Sequence, residues 1–289
     1  MASASGIHGA GISLKNTGAV QKMKKNRVLS AVITAGFLIL CTGEAMNAGR
    51  FSLEAHRGIS ERYPENTLVS FEAAGKIGAY RGIETDVQET ADGGLVLFHD
   101  ATLDKKTDAE GEIGAYTLDE VRKIRIDQAS NTEQYPDLGI PTLEEYLAVC
   151  RQYGKIPYIE LKSLSEAGME KLLAILQDGG WMDRCVITTF VKEYIPQFRK
   201  LNQTIPVEYM IDRKEDYQID DVITFLSGYP NMLFRPNAYQ VTEEEVDACR
   251  RNGIGVEAFG LKTGDREAYA HLKKIGVRGV TCNDYTGLW

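Results

Sequence analysis

The chain has 289 residues, 43% hydrophobic and 26% charged, enough apolar material for one large core and a length that an α/β barrel accommodates in a single domain. Its formal charge of -8 is unevenly placed: residues 1 to 50 carry Lys15, Lys22, Lys24, Lys25, Arg27 and Arg50 against one acid, Glu44, so the body is more acidic than the whole. Such a body excludes nucleic-acid binding through the general surface, and an anionic substrate would have to be held by local cations or a metal.

Residues 1 to 22 are rich in Gly, Ser and Ala, lack periodicity, and read as a non-native or misassigned leader with Met23 as the true start. Lys24, Lys25 and Arg27 then precede VLSAVITAGFLILC, an apolar run of fourteen residues. That is too short for a transmembrane helix and suits a secretory signal, so residues 23 to 49 are expected to be a signal peptide and the protein to be periplasmic or extracellular. Cys41 stands where a lipoprotein cysteine would, although Leu40 before it is large for such a signal. A lipid anchor there would be the one membrane contact. Cys150, Cys185, Cys249 and Cys282 are widely separated with no CxxC or Cys/His spacing, which argues against zinc. Cys185 and Cys282 bound apolar runs and read as buried hydrophobes.

From Arg50 onward strand-like and helical segments alternate. FSLEAH (51 to 56) reads as the first strand, and YPENTLVSFEAAGKIGA holds the first helix, capped by Asn66 or Thr67. Strand two covers about 82 to 87 and strand three about 95 to 99, with the turn-forming ADGG between them. An irregular section follows, then TLDEVRKI with a Thr117/Glu120 capping box, and TLEEYLAVCRQYG begins in the same manner at Thr142 and Glu145. PYIELK (157 to 162), RCVITTF (184 to 190), PVEYMI (206 to 211), NMLFR (231 to 235), GVEAF (255 to 259) and VRGVTC (277 to 282) are further strands separated by helices. Nine strand candidates occupy an eight-place pattern, so one of 206 to 211 or 231 to 235 is expected to be accessory. The alternation predicts a TIM (β/α)8 barrel over residues 50 to 289 with functional residues at the carboxyl ends of strands. A doubly wound sheet is the alternative, but no glycine-rich phosphate loop follows the first strand.

On the barrel reading His56 and Arg57 end strand one, Glu84 and Asp86 share a face of strand two, His99 ends strand three, and Glu160 and Lys162 share a face of strand four. One rim then carries three carboxylates, two histidines and two cations. The carboxylates suit Ca²⁺ or Mg²⁺, the cations a phosphate, and the histidines an acid/base pair. His8 lies in the head and His271 in a helix at an expected surface position. Taken singly each residue has a plainer reading: His56 a packed histidine, Arg57 a structural ion-pair partner, Lys162 an exposed strand-end lysine, Asn66 a cap. Their joint placement carries the argument, because packing does not require separate strands to end this way.

The combination HRGISERYPENT (56 to 67), GIETDVQETADGGLVLFHD (82 to 100), IPTLEE (140 to 145) and IELK (159 to 162) resembles the glycerophosphodiester phosphodiesterase family, with HRG, PEN, ExD, HD and ExK in family order. The likeness spans roughly residues 54 to 285 and includes TTF at 188 to 190 and GVRGVTCND at 276 to 284. It implies a barrel of the phospholipase C-like phosphodiesterase type, a divalent cation held by Glu84, Asp86 and Glu160, and catalysis by His56 and His99. It also implies phosphate contacts from Arg57 and Lys162 and a supporting role for Asn66. The chain departs from the family pattern where Glu257-Ala258-Phe259 replaces a tryptophan-threonine pair, leaving Phe259 to supply the apolar wall, and where Cys282-Asn283-Asp284 replaces threonine-aspartate. The expected reaction is hydrolysis of a small glycerophosphodiester to glycerol phosphate and an alcohol through a cyclic phosphate, His56 acting as base and His99 as acid. Two alternatives stand beside it: a phospholipase or lysophospholipase D-like enzyme acting on lipid, which needs an apolar entrance, and a non-catalytic phosphodiester-binding barrel, which would not need both histidines. The sequence is silent on head group and oligomeric state.

Overall fold

The computed structural model describes residues 51–289; the expected leader and signal segment, with Cys41, lie outside the described residues. Along the chain the elements are β1 (Ser52–Ala55), α1 (Leu68–Gly75), β2 (Gly82–Glu89), β3 (Leu95–Leu97), α2 (Leu118–Val121), α3 (Leu143–Tyr153), β4 (Ile156–Ser163) and α4 (Glu166–Asp178). There follow β5 (Val186–Thr189), α5 (Tyr194–Leu201), β6 (Val207–Ile211), α6 (Ile219–Leu226), β7 (Met232–Pro236), α7 (Glu243–Arg251), β8 (Gly255–Val256), β9 (Ala258–Leu261), α8 (Arg266–Lys274) and β10 (Gly279–Cys282). Parallel pairing runs β8-β7-β6-β5-β4-β2-β1-β10-β9. Since β8 and β9 are two halves of one strand interrupted at Glu257, the path returns to its start, giving a distorted (β/α)8 barrel.

Helix starts follow the local chemistry. The side chains of Thr117 and Thr142 each accept from the N3 backbone, with Glu120 and Glu145 completing the boxes, and Thr242 with Glu245 forms a third. Thr67, not Asn66, caps α1, accepting from the Ser70 N–H. Cys150, Cys185, Cys249 and Cys282 are all buried and unbridged, and His271 is exposed on α8.

The expected surplus strand is elsewhere than predicted. Both β6 and β7 belong to the barrel; the extra one is β3, which pairs antiparallel with the end of β2, Val87 opposite Leu97 and Glu89 opposite Leu95. A parallel successor needs a crossover of a dozen or more residues, whereas the chain reverses tightly here, the Thr90 hydroxyl accepting from the Gly94 N–H at 2.7 Å and Gly93 adopting a positive φ of 77°. His99 therefore follows a hairpin arm and does not end a barrel strand. The section beyond it is not structureless: Val96, Phe98, Leu103, Ile113, Val121, Ile124, Ile126 and Ile140 form a small hydrophobic cluster of their own.

The barrel interior departs from the usual branched aliphatic filling. Fully buried Arg235 on β7 lies 3.2 Å from Glu54 Oε2 on β1 and 3.5 Å from Glu257 Oε2, donates to Glu208 on β6, and sits over the Tyr158 ring. One guanidinium thus faces three buried carboxyl groups, and burial pushes Glu54 up to about 7 and Glu257 up to about 8.

Candidate active site

The HRG turn that leaves β1 is built by backbone constraint. Arg57 and Gly58 both adopt positive φ, 54° and 83°, and a Cβ at Gly58 would come within 2.2 Å of the Ser70 hydroxyl. Holding Arg57 in the left-handed region costs about 1–2 kcal/mol. In return its N–H donates to Glu84 Oε2 at 3.0 Å, while its side chain spans Asp86 Oδ2 at 3.0 Å and Glu65 at 3.1 Å. Asn66, also left-handed at φ 54°, is buried: it donates to Asp86 Oδ2 at 2.8 Å and accepts from the Thr85 hydroxyl at 2.9 Å and the Asp86 N–H at 3.3 Å. It orients a carboxylate.

Strand alternation puts Glu84 and Asp86 on one face, and parallel pairing sets Asp86 beside Glu160. The ligand oxygens of Glu84, Asp86 and Glu160 lie within 4.8 Å of one another and all three residues are buried. Crowding and burial act unequally. Desolvation, then Asp86 and Glu160, hold Glu84 well above the ordinary carboxylate range, and desolvation followed by Asp86 raises Glu160 to about 7. Desolvation also pushes Asp86 up, but Arg57, His99, Lys162 and Asn66 together outweigh it and keep that group below its usual value. Asp86 Oδ1 is buried without a hydrogen bond, with Lys162 Nζ 3.8 Å away, and Lys162 itself leans to Glu160 Oε1 at 2.9 Å. An all-oxygen donor set, an unpartnered buried oxygen and two glutamates raised by burial and by their acidic neighbours fit a hard divalent cation.

His56 Nδ1 meets Asn283 Oδ1 at 2.7 Å, so a ring that donates there presents Nε2 as an acceptor, 4.0 Å from Glu84 Oε2. Desolvation and then Arg57 push His56 down to about 4. His99 Nδ1 lies 2.8 Å from Asp100 Oδ1; burial lowers its pKa, Asp86 opposes this, and Arg57 reinforces it. Gln88 positions the His99 segment by donating to the carbonyls of Phe98 and Asp100, both at 2.8 Å. Lys106, from the section after His99, links Asp100 Oδ2 at 3.1 Å to Glu65 Oε1 at 2.6 Å, and so to Arg57. Glu65, His99 and Asp100 also cluster, but Arg57 and Lys106 already match their charge, which makes them an ion-pair chain and not a second metal centre.

Eight of the nine residues expected at the site converge through these contacts. The ninth, Phe259, packs edge-to-face on Phe190 at 5.3 Å, and Phe190 lies 6.0 Å from Lys162 Nζ. Sequence reasoning missed Asn283, Glu65, Lys106, Gln88 and Phe190. Glu65 stood inside the quoted PEN motif and Asn283 at a noted departure, while Lys106 and Gln88 carried no signal of their own.

A family model described as "Glycerophosphoryl diester phosphodiesterase family" matches residues 56–286. The chain is 32% identical to a glycerophosphodiester phosphodiesterase of Caldanaerobacter subterraneus over 80% of this chain and 93% of that one, and 31% identical to one of Bacillus subtilis over 90% and 96%. It is also similar to an Oleispira antarctica phosphodiesterase solved in complex with the product sn-glycerol-3-phosphate, with TM-score 0.70 and 26% identity over 80% of this chain and 92% of that one. By the span of the family model and the extent of these likenesses, the chain belongs to the glycerophosphoryl diester phosphodiesterase family.

Proposed function

We propose that the protein hydrolyses glycerophosphodiesters to glycerol phosphate and an alcohol, with one divalent cation, Ca²⁺ or Mg²⁺, held by Glu84, Asp86 and Glu160. The observation that carries this reading is the convergence of those three buried carboxyl groups with Arg57, Lys162 and two histidines on one rim. When bound, the cation would supply charge stabilisation for the phosphoryl oxygens. Arg57 and Lys162 would hold the anionic diester beside it.

The two histidines divide the proton work. His56, its Nδ1 tied to Asn283, offers Nε2 to the substrate's own glycerol hydroxyl; as that proton leaves, the hydroxyl oxygen bonds to phosphorus. The ester bond to the head group breaks and its oxygen takes a proton from His99, whose pairing with Asp100 opposes the downward shift that burial imposes. Water then opens the cyclic phosphate with the roles reversed. Chelation should abolish turnover of a glycerophosphodiester panel, and Ca²⁺ or Mg²⁺ should restore it. Full activity in strictly metal-free protein overturns the metal assignment, and turnover of lysolipids to the exclusion of water-soluble diesters favours the lipid-directed alternative.

Export is a separate proposal, supported by the basic residues before the apolar run at 28 to 41. Secreted protein is expected to begin between Cys41 and Arg50, with a modified Cys41 if it is a lipoprotein. N-terminal sequencing decides this, and an intact Met1 or Met23 on cytoplasmic protein overturns it.

A further inference from the structure

Beside His99 opens a cleft of about 520 Å³, lined by His99, Asp100, Thr102, Lys105, Lys162 and Ser163 among others. Its charges are not equally available. Asp100 is matched twice, by His99 at 2.8 Å and by Lys106 at 3.1 Å, and Lys162 is drawn toward Glu160 at 2.9 Å. Lys105 is exposed, and among the described residues no carboxylate lies within ion-pair distance of it. The cleft therefore presents one free cation, two hydroxyls and no free carboxylate. No Phe, Tyr or Trp ring lines it either; the pair Phe190 and Phe259 stands outside the lining. A quaternary ammonium is recognised by aromatic faces or unmatched carboxylates, and this cleft has neither.

We propose that the cleft receives the leaving alcohol and that Lys105 selects head groups carrying an additional anion, such as a second phosphate, over cationic head groups. The assignment rests on the reading of His99 as the acid toward the leaving alcohol, which puts the departing group on the side where this cleft opens. Lys105 touches the head group and not the reacting phosphate, so it sets preference among substrates without taking part in the proton transfers. Specificity of this kind is a ratio of kcat/KM values, and one charge interaction in a solvent-lined cleft corresponds to about tenfold in that ratio.

The test compares glycerophosphoinositol 4-phosphate, glycerophosphoinositol and glycerophosphocholine with the metal-loaded full-length enzyme and its Lys105→Glu and Lys105→Gln variants. The wild type should rank them in that order by kcat/KM, with the preference shrinking at high salt. Lys105→Glu should lower the ratio of the anionic to the choline substrate by about tenfold, Lys105→Gln should fall between, and the neutral inositol substrate should move least. A wild-type preference for choline, or a ratio unmoved by Lys105→Glu, overturns the proposal while leaving the hydrolase reading intact. Failure to turn over any of the three overturns that reading and the proposal with it.

Discussion

At the scale of single residues, the site depends on partners that give otherwise ordinary side chains a direction. His56 and His99 are each fixed through Nδ1, by Asn283 and Asp100, and the remaining nitrogen of each is the one available for substrate. A substrate with a good leaving group such as a nitrophenol separates their roles, because its departure needs little protonation. His99→Ala should lose about 10²–10⁴-fold on the natural ester and far less on the nitrophenyl ester, whereas His56→Ala should lose equally on both. The opposite pattern reverses the assignment. Asn66 gives a second prediction. Asn66→Ala removes both of its bonds to Asp86 and the one from Thr85, leaving Arg57 to hold that carboxylate, and should weaken metal binding by about 10–100-fold, which a calorimetric titration measures directly. Unchanged affinity would reduce Asn66 to a packing residue. Both partners were hard to read from the sequence for the same reason. Asn66 precedes a helix and so looks like a cap, a local role that Thr67 fills, while its real contact lies 20 positions on; Asn283 is 227 positions from His56.

At the scale of elements, the period of two in a strand made much of the site legible. It predicted that Glu84 and Asp86 share a face, and that Glu160 and Lys162 do, and the parallel register then sets Asp86 opposite Glu160. The hairpin arm β3 was illegible as such because an apolar run reads alike whether its partner is parallel or antiparallel; only the short reversal before it decides. The juxtaposition of β2 and β4 has a measurable consequence. Glu84 is held well above its ordinary value and Glu160 at about 7, chiefly by desolvation, so the metal-free site retains protons that a cation must displace. Affinity for Ca²⁺ or Mg²⁺ should therefore rise with pH through about 7 and level off once the carboxyls are ionised. Calorimetry at pH 6, 7 and 8 in buffers of different ionisation enthalpy should show proton release that diminishes toward pH 8. Affinity that is flat across this range, with no protons released, would mean the three carboxylates are already ionised in the free protein.

At the scale of the whole molecule, closure of the barrel converts one face of every strand into interior, and this is where the sequence was least transparent. Glu54, Glu208, Arg235 and Glu257 occupy alternate polar positions that an open sheet would present to water; closure buries all four, and no local pattern distinguishes the two cases. The eight-place count itself was legible from the βα alternation, because at least one helix lies between each barrel strand and the next. Burying three acids around one guanidinium should mark the pH dependence of stability, and the sign follows from the direction of the shifts. Burial raises Glu54 to about 7 and Glu257 to about 8 from an ordinary 4.5, so the unfolded chain releases these protons first. Their contribution is fully present below about pH 4.5 and declines as pH rises toward 7 and 8. Glu84 and Glu160 act in the same direction in metal-free protein, whereas Asp86, Glu65 and Asp284, held below their ordinary values, and His56 and His99, whose pKa values burial lowers, lose their contribution in acid and oppose the trend without outweighing four raised carboxyls. Chelator-treated protein should accordingly melt at the highest temperature near pH 5 and at progressively lower ones up to pH 8. Replacing Arg235 with Met removes the cation that stabilises the ionised acids and should cost about 3–5 kcal/mol, more at pH 8 than at pH 5. Scanning calorimetry of both proteins across this range tests the argument, and a melting temperature that climbs from pH 5 to pH 8 in the metal-free wild type would show that the interior acids are ionised in the folded barrel.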